Sequence, residues 1–133
     1  MASNHSVADY VAQAAHNTAL ADYLRKECPD CLDWAATCLF YAAVHYVNAY
    51  LRKSGIAIPR RHRGSEKNKT EGRLNIVQQD ATLRFIYYNY RHLDDESRDA
   101  RYELRKPSES DYDNFLAKHL KSVRDFILPK VTN

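Results

Sequence analysis

Glycine and proline are scarce in this chain of 133 residues, which has 3 of one and 4 of the other, too few turn formers for the close-spaced hairpins of a sheet protein. No apolar run approaches the roughly 20 residues that a membrane span needs, and Met1 to His5 lacks a basic segment leading into an apolar one. Three cysteines, an odd number without a secretion signal, argue against a disulfide framework and for reduced thiols in a cytoplasmic protein. A glycine-rich phosphate loop, a His-Glu-x-x-His pair and a Gly-x-Ser-x-Gly elbow are all missing, so any chemistry has to come from scattered groups.

Alanine, leucine, tyrosine and arginine are plentiful instead, and they point to a single all-α domain over residues 1–133. Helical spacing of Val7, Tyr10, Val11, Ala14, Ala21 and Leu24 predicts a first helix from about Ser6 to Lys26. A central helix is expected from about Asp30, a possible cap, to Ser54, with Gly55 as its stop and a loop over Gly55 to Glu66. A third helix is predicted over Thr70 to His92, with Leu74, Val77, Ala81, Phe85 and Tyr88 on its buried face, and Leu93 to Tyr102 as a short or bent continuation up to Pro107. Ser108-x-x-Asp111 resembles a capping box opening a last helix, whose core stripe is Tyr112, Phe115, Leu116, Leu120, Val123 and Ile127 and which Pro129 should end. An antiparallel helical bundle is the economical arrangement.

The central helix is apolar over about two thirds of its girth at 100° per residue, yet Asp33, Thr37, Tyr41, His45, Asn48 and Arg52 form one polar seam. An ordinary solvated face would carry Lys and Glu, whereas Tyr, His and Asn suit half-buried positions. Tyr41, His45, Asn48 and Arg52 are therefore candidates for a dimer or ligand-facing surface.

Charge is uneven. Arg52 to Arg73 carries a local +6 within a chain whose net charge is +3. Arg60, Arg61, His62 and Arg63, with Lys67 and Lys69 close by, form a candidate phosphate-contacting element for nucleic acid, the alternative being a solvated loop. The densest collection of chemistry-bearing side chains runs from Tyr90 to Tyr102. There His92 is a candidate acid or base for phosphodiester cleavage, with Arg84, Arg91, Arg98 or Arg101 holding phosphate, against the plainer reading of an intrahelical lattice such as Asp94 with Arg98.

Cys28-Pro29-Asp30-Cys31 has the spacing of redox pairs and half zinc sites, but no second pair completes a zinc site. Cys31, Cys38 and His45 recur every seven residues, about 10 Å apart along a helix axis, too far for one metal to bridge. The cysteines are read as structural, and neither a metal nor a cofactor is expected.

Trp34-Ala35-Ala36, then Phe40-Tyr41-Ala42-Ala43-Val44-His45-Tyr46-Val47-Asn48-Ala49, a basic His-containing loop, and Tyr90-x-x-Leu93 followed by Ser97-Arg98-Asp99-Ala100-Arg101-Tyr102 together resemble a HEPN domain (higher eukaryotes and prokaryotes nucleotide-binding) over about residues 7 to 128. The resemblance implies an all-α bundle of four to five helices, a homodimer, and a toxin-antitoxin, phage-defence or RNA-processing setting, with a nucleotidyltransferase-like protein as one possible partner. Many such domains are metal-independent ribonucleases whose Arg and His stand about four to six residues apart, paired across the dimer cleft. This chain departs from that pattern, because Arg84 and His92 have seven residues between them and Arg91 and His92 have none. Three functions follow as expectations: binding of nucleic acid or nucleotide with a divergent or lost nuclease motif, metal-independent RNA cleavage by a dimer, or a non-catalytic protein-interaction module.

Overall fold

The computed structural model describes residues 5–64 and 72–132, all helix, turn and loop, with no strand among them. Helix α1, Val7–Glu27, opens on a capping box in which Ser6 and Asp9 each accept the other's backbone N–H. A tight turn, Pro29–Cys31, joins it to α2, Leu32–Lys53. In that turn the Cys31 amide donates to the Cys28 carbonyl, which brings the two α-carbons to 5.3 Å, and the sulfurs are joined in a disulfide. Reduced thiols were the expectation here; Cys38 alone is free. Asp30 lies inside the turn and caps nothing. Gly55, with φ at +72°, follows the end of α2 in the left-handed region that a β-carbon disfavours.

The expected third helix is two helices. Asp80 accepts hydrogen bonds from the amides of Thr82 (2.8 Å) and Leu83 (2.9 Å), offering the backbone an alternative to the helical ladder. Helix α3, Arg73–Gln79, ends there, a single tight turn over Leu83–Ile86 follows, and α4 runs Tyr87–Tyr102. The break rotates the register. Leu83, Ile86, Tyr90 and Leu93 are buried, while Phe85 and Tyr88, expected in the core, are exposed.

The final helical segment begins on the Ser108/Asp111 capping box, widens over Tyr112–Leu116 and continues as α5, Ala117–Val131. Pro129 does not stop it, since the helix runs two residues further and buries Val131. Phe115 faces outward, but Tyr112, Leu116, Leu120, Val123 and Ile127 are buried as expected.

Helix α2 is the hub of the bundle and packs against α1, α4 and α5. Ala14 and Ala21 on α1, with Ala35, Ala42, Ala43 and Ala49 on α2, are small and fully buried, so little side chain keeps those two helices apart. Arg25 clamps α1 to the start of the last segment by two bonds to Asp113 (2.9 and 2.7 Å), and the Tyr112 hydroxyl donates to Asp22 at 3.0 Å. Among the described residues no helix is long and apolar enough to cross a membrane.

Candidate functional site

The basic loop after α2 is fastened to the start of α3. The Arg73 and Leu74 amides, first-turn donors with no partner inside their own helix, donate to the carbonyls of Arg61 (2.9 Å) and His62 (2.7 Å). The Gly64 amide donates to Asn75 Oδ1 at 2.8 Å. Gly72 permits this approach, because a β-carbon there would strike the Arg63 backbone.

Anchoring the loop buries the Arg73 guanidinium, which is only 4 % exposed. Its donors go to three neutral acceptors: Asn48 Oδ1 on α2 (2.9 Å), the Pro59 carbonyl (2.8 Å) and His62 Nδ1 (2.9 Å). No carboxylate pairs with it among the described residues. A buried cation held by uncharged groups leaves positive potential unspent.

His62 sits in that potential. Arg73 donates to its Nδ1, so the ring proton belongs on Nε2 and the imidazole is neutral. Burial, followed by Arg73, Arg101 and Arg98, pushes its pKa from 6.5 down to about 4. The ring meets Phe40 and Tyr41 edge-on, with centres 5.0 and 5.5 Å apart. Arg101 reaches in from α4, donating to the Tyr41 hydroxyl at 3.2 Å and lying 5.8 Å from the Tyr41 ring centre. Among the described residues neither Arg98 nor Arg101 forms an ion pair.

Arg63 is differently placed. It bonds Asp94 through Nε (2.9 Å) and Asp95 through Nη2 (2.5 Å), so its charge is matched within the fold; Arg98 forms no ion pair with Asp94 among the described residues, although its charge still pulls that carboxyl's pKa down. Asp94 is fully buried, and burial raises its pKa against the opposing pull of Arg63. Along the same face of α4, Tyr90, Asp94 and Ser97 are all buried, and among the described residues Asp94 Oδ1 and Ser97 Oγ have no hydrogen-bond partner.

The residues singled out in the sequence thus fall into separate groups. Tyr41 and Asn48 join His62 in the cluster, while His45 turns toward α1, stacks on Tyr10 at 6.3 Å and has its pKa lowered by burial. Arg52, Arg60 and Arg61 are exposed, and Lys67 and Lys69 lie outside the described residues. His92 lies roughly half a turn round α4 from Arg101; it stacks on His119, ring centres 4.8 Å apart and planes at 3°. Arg91 reaches Asp95 at 3.6 Å, and Arg84 is exposed on the turn before α4. Of the five candidate catalytic residues, only Arg98 and Arg101 contribute to the cluster. Arg73 belongs to it too, yet in the sequence it was merely one of many charges. Its signal was Asn48, an amide two turns below Tyr41 in an otherwise apolar helix.

The cluster can attract and hold an anion. It is poorly arranged for acid-base work at neutral pH, since the accepting nitrogen of its histidine is already occupied by Arg73. Among the described residues no group of three or more His, Cys, Asp or Glu side chains could hold a metal ion. Comparison with protein-family models, curated proteins and solved structures finds no match to this chain.

Proposed function

We propose that this protein is a HEPN-like helical module that binds the phosphates of nucleic acid or nucleotides through Arg98, Arg101 and His62, and that it binds without cleaving. The observation that carries this reading is a neutral His62 bonded to Arg73 and lying in the field of Arg98 and Arg101, none of them paired with a carboxylate among the described residues. Arg73 positions the ring and supplies field, while the ion-pair-free guanidinium groups of Arg98 and Arg101 suit phosphate oxygens. His62 Nε2–H adds a neutral donor. Exposed Arg60 and Arg61 extend the positive surface for a longer backbone.

The ribonuclease reading with His92 as acid or base is disfavoured by His92 lying round α4 from Arg101 and stacking on His119. The test is titration of labelled single-stranded RNA, DNA and mononucleotides at low and moderate salt. Affinity should fall steeply with salt, and Arg98→Ala and Arg101→Ala should each lower the slope of log K against log salt by about 0.7 for a single strand. No binding of any of the three at low salt would end this reading. A homodimer in a toxin-antitoxin or defence setting is the context this proposal favours, and sizing by light scattering tests the dimer.

A further inference from the structure

Next to the arginines, Asp33, Trp34, Thr37, Ala100, Arg101 and Leu104 line a cavity of about 270 Å³. That is at or below the small end, about 300 Å³, of the clefts that hold whole small molecules, so it suits one flat ring better than a complete cofactor.

Its rim is unusually apolar for a surface. Trp34 is 61 % exposed and Leu104 is 89 % exposed. Tyr102, 69 % exposed, adjoins through Arg101, whose guanidinium carbon is 5.1 Å from its ring centre. Exposed aromatic groups beside cations are the surface that single nucleobases stack on.

Two further observations belong to the same cavity. Leu104 has φ at +55°, a left-handed conformation that costs a leucine free energy and here coincides with its side chain standing in solvent. Asp33, in the first turn of α2, lines the cavity as well. A carboxylate on the lining matches the amino or ring N–H edge of a base.

Trp34 and Tyr41 stand two turns apart on nearly the same line of α2, and Arg101 touches both neighbourhoods. A phosphate at Arg98 and Arg101 would therefore leave its attached base beside the cavity. We infer that the Trp34/Leu104/Asp33 cavity is a subsite for one unstacked nucleobase, so that the ligand is a mononucleotide or a single strand and not a duplex. The inference rests on the phosphate-binding reading above.

Trp34 is the sole tryptophan of the chain and reports directly. The intact protein is titrated with inorganic pyrophosphate, with AMP and with a blunt RNA duplex, following indole emission and, separately, heat of binding. AMP should quench the emission while pyrophosphate and duplex bind without quenching. Trp34→Ala, at an exposed position that the fold tolerates, should weaken AMP at least fivefold by calorimetry and change pyrophosphate affinity less than twofold. Pyrophosphate and AMP binding with equal affinity and no quenching would overturn the base subsite while leaving phosphate binding intact. Quenching by the duplex equal to that by AMP would overturn the single-strand claim. Binding of neither pyrophosphate nor AMP would overturn both the inference and the reading beneath it.

Discussion

Arg73 Nη1 lies 2.9 Å from His62 Nδ1, and this one contact ties the helical core to the basic loop while setting the protonation state of the histidine. Arg73 comes from the first turn of α3, and its side chain bonds Asn48 on α2. The loop, α2 and α3 are joined at a single guanidinium. Its removal should be felt in both stability and binding.

Arg73→Ala leaves Asn48 Oδ1, the Pro59 carbonyl and His62 Nδ1 without their donor. With the buried Asn48 acceptor and the half-buried Pro59 and His62 acceptors each costing about 1 kcal/mol, a loss of about 3 kcal/mol is expected in urea unfolding. Anion affinity should fall as well, because the loop loses its anchor. Unchanged stability would show that the side chain is not buried as described.

The pH dependence of stability follows from the sign of the His62 shift. Its pKa falls from 6.5 to about 4 on folding, so between those values the unfolded chain binds more protons. The stabilisation is whole above pH 6.5 and is lost as pH drops toward 4. His45 and His119 shift the same way, whereas Asp94 and Glu96, whose pKa values are raised, contribute stability that is lost as pH rises. Only the difference between wild-type and His62→Gln thermal curves isolates His62. That difference should change by about 3 °C or more between pH 7 and pH 5, with wild type losing more on acidification.

Burial is the larger cause of the depressed His62 pKa, and bound phosphate offsets the arginine field that adds to it. An anion at Arg98 and Arg101 should raise its pKa, and binding below about pH 6 should take up protons. Calorimetry in two buffers of different ionisation heat measures that uptake. His62→Gln should abolish it, and an uptake that survives the substitution would assign the proton elsewhere.

Arg63→Ala isolates a buried carboxylate. The Asp94 side chain is 1 % exposed and bonded to Arg63, so the variant should lose about 3–5 kcal/mol at pH 7. The deficit should shrink as pH is lowered, since Asp94 then escapes by taking a proton. The double variant Arg63→Ala/Asp94→Asn should recover part of the loss at neutral pH. A deficit that is constant with pH would contradict this account.

Two glycines are required for different reasons. At Gly55 a β-carbon meets nothing, but φ is +72°, so Gly55→Ala should cost about 1 kcal/mol without altering binding. At Gly72 the backbone angles are ordinary, with φ at −74°, and the obstacle is the Arg63 backbone. Gly72→Ala should push the loop off α3 and weaken anion binding. Equal binding by both variants would remove the loop from the site.

Several elements were legible from local chemistry. The Ser6/Asp9 and Ser108/Asp111 boxes, the buried run of α2 and the stop at Gly55 depend on neighbours within one turn, which spacing reports directly. The break at Asp80 was also local, but an aspartate that caps its own successors looks in a list of residues like one more polar position. The break turns Phe85 and Tyr88, which lie on the core face of an unbroken helix, out to solvent.

Composition and periodicity were enough to establish an all-α chain with α2 at its centre, because a helix that is apolar nearly all round has to be surrounded. They could not say which arginines matter. Arg63 and Arg73 look alike in the basic run, yet one is neutralised by Asp94 and Asp95 and the other is buried among neutral acceptors. His62 and His92 likewise differ only in what folding brings beside them: arginines 11, 36 and 39 residues away in one case, His119 in the other. Electrostatic environment depends on distance in space, and the contacts that set it here join segments that the chain keeps far apart.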